Sequence, residues 1–94
     1  MAHFVLICID KPDSLALRMA NREAHFAYGR SNPGIRLGGP FLSEAGEMAG
    51  SMIILEAADL AAAWAWHEAD PYKLAGLFER VEIRPWRATF GTLP

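Results

Sequence analysis

The chain has 94 residues, of which 52% are hydrophobic and 21% charged, and its formal net charge is −2 at pH 7. This length allows one small domain, residues 1–94, without a second core. The mild negative charge argues against nucleic acid as the main partner, because phosphate binding depends on clustered Lys and Arg. The apolar fraction is high for so small a chain, which predicts that a second copy covers part of its surface.

The single cysteine and the N-terminal run bear on the compartment. Cys8 has no second cysteine to pair with, which excludes an intrachain disulfide and is typical of a reducing environment. The apolar run around it is far shorter than the ~18 residues that a membrane span needs, and no basic segment precedes it. We therefore expect a soluble, cytoplasmic protein with no membrane partner.

The first two elements are a strand and a helix. His3–Ile9 is a continuous apolar run rich in β-branched residues, and the turn-forming residues Asp10-Lys11-Pro12-Asp13 follow it, which predicts a strand buried on both faces. A helix is predicted from Ser14 to about Arg30, before the helix-ending segment Asn32-Pro33-Gly34. Its apolar residues at helical spacing form the predicted buried stripe: Leu15, Met19 and Phe26.

Two strands follow this helix. Ile35–Phe41 is a short strand interrupted by Gly38-Gly39-Pro40, where we expect a β-bulge or bend. Gly50–Ala57 is a second strand and is apolar on both faces, like the first strand of the chain.

The last part of the chain is predicted to hold a helix and a strand. Asp59 is a good N-cap for a helix from Leu60 to about Ala69, which we expect to pack through Leu60 and Trp64. Pro71 ends this helix, since the residue before a proline avoids the helical region. After a short turn around residues 72–76, Leu77–Trp86 forms the final strand.

The order of elements, β-α-β-β-α-β, predicts a fold. It is the ferredoxin-like α+β arrangement, an antiparallel sheet with two helices on one face. Strands that are apolar on both sides need a cover on the bare face of the sheet as well. The same face of a second copy provides it, which predicts a two-fold homodimer with a sheet-on-sheet core.

Polar residues of the first helix mark a candidate site. At ~100° per residue, Arg18, Arg22 and His25 lie in one narrow wedge beside the apolar stripe. A His that is held by a carboxylate is suited to proton transfer near neutral pH, and Asp70 is the candidate carboxylate. The alternatives are a solvated helix edge for the wedge, and local turn chemistry before Pro71 for Asp70.

Three further residues are candidates for contacting a small-molecule substrate. Gly39 allows a ligand to approach the backbone closely. Ser51, at the start of a strand, can donate a hydrogen bond to the substrate, and Tyr72 can orient it. The histidines show no ligand spacing and there is no Cys/His cluster, so we expect neither a metal nor a cofactor.

Several short motifs occur in a characteristic order along the chain. They are Asp10-Lys11-Pro12-Asp13-Ser14, Arg22-x-x-His25, Gly38-Gly39-Pro40, Gly50-Ser51, Ala65-Trp66 with Ala69-Asp70-Pro71-Tyr72, and Val81-Glu82-Ile83-Arg84-Pro85-Trp86. In this order the chain resembles the YciI-like (YCII-related) family over nearly its whole length.

The resemblance implies a ferredoxin-like protomer that forms a dimeric α+β barrel, with an active site built on a His and an Asp. His25 and Asp70 match these two residues. For some members it implies the breakdown of aromatic compounds, including dehydrochlorination, and related barrels include muconolactone isomerases and cofactor-free monooxygenases. A phosphorylated active-site histidine is a further implication.

Functions from different classes fit these residues. The first is a cofactor-independent lyase or isomerase acting on a small metabolite, in which His25 is the general base or acid and Asp70 fixes its tautomer. Arg22 would then stabilise negative charge on the substrate. The second is a dimeric small-molecule binding or accessory module without catalysis. A third is phosphotransfer through His25, supported among the residues by the anion-binding Arg22 alone.

Overall fold

The computed structural model describes residues 1–94 as one antiparallel sheet with helices packed on one face. The strands are β1 (Ala2–Asp10), β2 (Ile35–Leu42), β3 (Met48–Ala57) and β4 (Phe78–Trp86). The helices are α1 (Leu15–Ala20), α2 (Arg22–Arg30), α3 (Leu60–Glu68) and α4 (Pro71–Leu74). None of them is long and apolar enough to cross a membrane.

The sheet has the strand order β2-β3-β1-β4, and every neighbouring pair is antiparallel. This topology confirms the predicted ferredoxin-like α+β fold. Side chains of β1 alternate between the two faces, as the pleat requires. The even-numbered side chains, from Phe4 to Asp10, are buried beneath the helices. The odd-numbered side chains, from His3 to Ile9, are half-buried on the open face of the sheet.

The hydrophobic core lies between the sheet and α3. Its members are Phe4, Leu6, Ile53, Leu55, Ala57, Ala63, Trp66 and Ile83. The predicted N-cap is confirmed, because the Asp59 side chain accepts a hydrogen bond from the backbone N–H of Ala62. The predicted packing face is wrong for Leu60, which is exposed, and Trp64 only borders the core. The small Ala63 lets α3 approach the sheet, and the large Trp66 ring fills the space beside it.

The first helical stretch differs from its prediction in two ways. It breaks at Asn21, whose backbone N–H donates to carbonyls of the last turn of α1. The predicted apolar stripe is also wrong, since Leu15, Met19 and Phe26 are 36%, 48% and 43% exposed while Arg18 is only 3% exposed. Arg18 is buried because its ionic partner, Asp10, lies on the sheet beneath α1.

The edge strand β2 is continuous through the glycines that were predicted to interrupt it. Its irregularities in register lie between Ile35 and Leu37 and between Phe41 and Leu42, on either side of Gly38-Gly39-Pro40. The expected bulge at these three residues is therefore wrong. An edge strand tolerates Pro40, because its outer side needs no backbone donor.

Candidate active site

A cavity of about 500 Å³ opens between α2 and the two strands β2 and β3. Of the residues predicted to form a site, those that line it are Arg22, His25, Gly39, Ser51 and Tyr72. Arg18, the third member of the predicted polar wedge, lines it too, as does Arg30, whereas no Asp or Glu does. The wall of the cavity is therefore cationic, although the chain as a whole carries a net negative charge.

The imidazole of His25 is held from behind by a buried carboxylate. Its Nδ1 lies 2.8 Å from Oδ1 of Asp70, which is 2% exposed. The backbone N–H of Tyr72 donates to the same oxygen at 3.0 Å. Because an ionised carboxylate only accepts hydrogen bonds, this contact places the ring hydrogen on Nδ1 and leaves the lone pair on Nε2.

Local sequence explains why Asp70 lies there. It is the N-cap of α4, and Pro71 occupies the first helical position, which suits a residue without a backbone N–H. The turn predicted at residues 72–76 is therefore wrong in part, since this cap and proline start a helix. The two interpretations of Asp70 hold together: the same carboxylate caps the helix and contacts His25.

Tyr72 forms the floor beneath the imidazole. Its ring stacks on that of His25, with centroids 4.0 Å apart and an interplanar angle of 14°. The Cζ of Arg18 lies 4.6 Å from the same ring centroid. Burial raises the pKa of Tyr72, although the guanidinium groups of Arg18 and Arg22 act in the opposite direction. Tyr72 is thus a neutral hydroxyl at physiological pH.

A second ion pair, between Arg18 and Asp10, reaches the cavity. Nε and Nη2 of Arg18 donate to the two carboxylate oxygens at 2.8 and 3.0 Å, and Nη2 also donates to Oγ of Ser51 at 2.8 Å. Burial acts to lower the pKa of Arg18, but the hydrogen bonds and charge of Asp10 outweigh it and raise that pKa. Arg18 therefore carries a permanent charge.

Sequence reasoning missed the part played by Asp10, which it assigned to the turn after the first strand. A signal was present: Asp10 continues the series of Phe4, Leu6 and Cys8 at every second position of β1. A carboxylate that continues a buried strand face needs a cationic partner.

Arg22 and Gly39, which were also predicted to form the site, line the cavity with fewer contacts to other residues. The Cζ of Arg22 lies 4.8 Å from the ring centroid of Phe26 at the cavity wall. A Cβ added at Gly39 would meet nothing within 4 Å, so packing does not require glycine there. Gly50 differs, since an added Cβ would lie 2.5 Å from the backbone oxygen of Cys8. This close approach of β3 to β1 sets the position of the neighbouring Ser51.

No group of three His, Cys, Asp or Glu side chains is arranged to hold a metal ion. The chemistry available to this arrangement is the transfer of a proton at Nε2 of His25. Fixed positive charge lies close by, at Arg18 and Arg22.

Comparisons with known proteins place this chain in a family. The YCII-related domain matches residues 2–87. Protein YciI of Escherichia coli O6:H1 is 35% identical, over 93% of this chain and 98% of that protein.

Two solved structures share the fold. The first is 5-chloro-2-hydroxyhydroquinone dehydrochlorinase of Burkholderia phenoliruptrix AC1100, in complex with 2,5-dihydroxybenzoquinone. It has a TM-score of 0.84 and 33% identity, over 90% of this chain and 93% of that chain. An antibiotic biosynthesis monooxygenase has a TM-score of 0.59 over 95% of this chain and 99% of that chain, and its 13% identity shows a common fold alone. The domain match and the identity to YciI together show that the chain belongs to the YCII-related family.

Proposed function

We propose that this protein is a cofactor-independent lyase or isomerase that uses His25 and Asp70 for general acid–base chemistry on a small aromatic or anionic metabolite. The observation that carries the proposal is the 2.8 Å contact between Nδ1 of His25 and Oδ1 of Asp70 at the wall of a cavity. A carboxylate in this position fixes the tautomer of an imidazole and stabilises its protonated form.

The proton transfer follows from this geometry. Nε2 of His25 accepts a proton from the substrate, and Asp70 stabilises the imidazolium that forms. In a dehydrochlorination of a chlorinated, hydroxylated ring, Nε2 first moves a proton from a ring hydroxyl to the carbon that bears chlorine, which gives a ketone tautomer. Nε2 then takes the proton of a second hydroxyl; its electron pair forms the second C=O, the ring double bond shifts, and chloride leaves with its bonding pair. The products are a quinone and chloride, and the second proton passes from Nε2 to water. In an isomerisation, Nε2 returns the proton to another atom of the same molecule. General acid–base catalysis of this kind contributes roughly 100- to 10,000-fold in rate.

Hydroxylated, chlorinated aromatic rings are the first substrates to test. The dehydrochlorinase of Burkholderia phenoliruptrix shares the fold at a TM-score of 0.84 and 33% identity, which supports this choice. The volume of about 500 Å³ lies within the usual range of small-molecule pockets and leaves ample room for one substituted ring.

Release of chloride from 5-chloro-2-hydroxyhydroquinone tests the proposal. We expect the native chain to release chloride, and His25→Ala to lower the rate by at least about 100-fold. His3→Ala is the matched control, because His3 lies on β1 away from the cavity and its loss should leave the rate unchanged. Saturable binding of this and related ring compounds without chemical change would instead favour the non-catalytic binding module.

We also propose that two copies pair through the open face of the sheet. Support comes from an apolar depression on that face, lined by Val5, Ile7, Met52 and Ile54 beside the 40% exposed Trp86. Sedimentation equilibrium should report a dimer for the native chain and a monomer for Ile7→Lys. Leu74→Lys is the control, since Leu74 is 70% exposed on α4 and should leave the dimer intact. A native chain that sediments as a monomer at micromolar concentration would refute the pairing.

A further inference from the structure

A second buried carboxylate holds a permanent cation at the cavity. Asp10 and Arg18 are 9% and 3% exposed, and two hydrogen bonds of 2.8 and 3.0 Å join them. Arg18 lines the cavity whereas Asp10 does not, so the carboxylate holds the guanidinium from the side away from the cavity. The orientation of the guanidinium is therefore fixed before any ligand arrives.

Ser51 adds a neutral donor next to this cation. Its Oγ accepts a hydrogen bond from Nη2 of Arg18 at 2.8 Å, so the hydroxyl hydrogen points elsewhere and is free for another acceptor. Nη1 is the guanidinium nitrogen that neither Asp10 nor Ser51 uses. Ser51 is 4% exposed and lines the cavity, as Arg18 does. The guanidinium of Arg18 and the hydroxyl of Ser51 thus lie together at one part of the wall.

Stability alone does not account for this arrangement. Removing two charges from water costs several kcal/mol per ion, and well-packed hydrophobic residues of similar volume usually stabilise a core as well or better. A guanidinium that a carboxylate holds in place at the wall of a cavity is instead a preorganised donor for negatively charged oxygen. The absence of any Asp or Glu from the cavity wall leaves this positive charge uncancelled there.

We propose that Arg18 and Ser51 form an oxyanion site, which binds the ionised ring oxygen of a planar phenolate or enolate, and that Asp10 is its positioning residue. The proposal rests on the proposed function for its role in turnover, because charge that builds up on the ring as His25 removes a proton would be stabilised there. Arg18 Cζ and the His25 ring lie 4.6 and 4.0 Å from the centroid of the Tyr72 ring, and all three residues line the same cavity.

Calorimetric titration with 2,5-dihydroxybenzoquinone tests the oxyanion site. This acidic quinone is ionised at neutral pH, and hydroquinone is a neutral ring of similar size. We expect the native chain to bind the anion at least about ten-fold tighter than hydroquinone, and Ser51→Ala to weaken anion binding about ten-fold. Ser43→Ala, in the exposed turn between β2 and β3, is the matched control and should bind like the native chain.

A double variant tests the charge itself. Asp10→Leu with Arg18→Met removes both ions, so no charge is left buried without a partner. We expect this variant to lose the preference for the anion over hydroquinone. Should it fail to fold, as judged by circular dichroism, the result with Ser51→Ala still decides.

His25→Ala separates this proposal from the proposed function. It should keep the affinity for the anion within about three-fold, because the oxyanion donors remain. If no substrate is ever transformed but Ser51→Ala weakens anion binding, the oxyanion site stands and the acid–base proposal fails. If the native chain binds both rings equally, or Ser51→Ala and a folded double variant bind like the native chain, the oxyanion site is wrong.

Discussion

Replacing Asp70 with Asn removes the negative charge but keeps an oxygen that can accept hydrogen bonds at the position of Oδ1. Oδ1 of Asp70 is the acceptor for two groups, Nδ1 of His25 at 2.8 Å and the backbone N–H of Tyr72 at 3.0 Å. An amide offers one accepting oxygen and one donating nitrogen. Since both donors point at the same position, the oxygen of the introduced amide should occupy it. The tautomer of His25 with hydrogen on Nδ1 should therefore survive in Asp70→Asn.

The size of the effect follows from what the amide lacks. A hydrogen bond to a charged group contributes about 1.5–3 kcal/mol and a neutral one about 0.5–1.5 kcal/mol. A loss of about 1–2 kcal/mol in stabilising the imidazolium lowers kcat roughly 5- to 30-fold. Asp70→Ala is a harsher change, because it leaves the buried N–H of Tyr72 and the part-buried Nδ1–H of His25 unpaired, and a buried unpaired donor costs about 1–3 kcal/mol. It should lower Tm by more than about 10 °C, whereas Asp70→Asn should lower it far less.

Three measurements examine this reasoning together. Chloride release gives kcat, thermal unfolding gives Tm, and the ¹⁵N chemical shifts of the His25 ring at neutral pH report which nitrogen carries the hydrogen. If Asp70→Asn is as inactive as His25→Ala, and Nε2 of His25 carries the ring hydrogen in this variant, the introduced amide is flipped. The argument from two donors is then refuted. An unchanged kcat would show that the charge of Asp70 plays no part in turnover.

The remaining predictions concern three buried groups. Arg18→Met alone should lower the free energy of unfolding by about 3–5 kcal/mol, because it leaves Asp10 buried without its partner. The double variant with Asp10→Leu should lose less than half as much free energy. Urea unfolding measures both losses, and equal losses would contradict the argument. Burial lowers the pKa of His67 below its usual 6.5, so below that pH the unfolded chain binds more protons than the folded one. The free energy of unfolding should therefore fall as the pH drops from 6.5 through the lowered pKa of His67. In His67→Phe this fall should be smaller, and urea midpoints measured at a series of pH values check it. Burial also raises the pKa of Cys8 to about 12, so iodoacetamide at pH 8 should alkylate the native chain at least about 100-fold more slowly than the urea-unfolded chain; similar rates would show that the thiol is open.

The order and type of the main elements could be predicted because each strand is an apolar run that ends in turn-forming residues. The first strand was predicted at His3–Ile9 and spans Ala2–Asp10, and the cap at Asp59 fixed the start of α3. The short helix α4 was missed, since four residues show no helical period.

The orientation of the first helical stretch could not be predicted, for a physical reason. The spacing of apolar residues along the helix and the charge of the arginine side chain both predict that Arg18 faces solvent. Its burial depends on Asp10, a residue of another element that lies beneath α1 only after the sheet has formed. Leu15 and Met19, which the apolar pattern placed toward the core, are exposed on the same helix.

The sequence indicated that His25 and Asp70 could pair, but it could not show that they are in contact. The two residues were chosen for their chemistry, and no spacing in the sequence sets the 2.8 Å between them. What sets it is the cap of α4, since the backbone N–H of Tyr72 fixes the carboxylate and the Tyr72 ring supports the imidazole. A residue that reads as local turn chemistry can therefore be the one that orients a candidate base.

Two carboxylates thus act on one cavity in different ways, and their difference predicts how substitutions should separate binding from rate. Asp10 holds Arg18, whose raised pKa keeps it charged at every physiological pH, so this pair suits the binding of an oxygen that is already negative. Asp70 holds His25, which can gain and lose a proton, so this pair suits transfer. Tyr72 lies against both, and its raised pKa keeps it uncharged, so it adds no negative charge to compete with a bound anion. Changes at Asp10 should therefore act mainly on the affinity for anionic rings, and changes at Asp70 mainly on kcat.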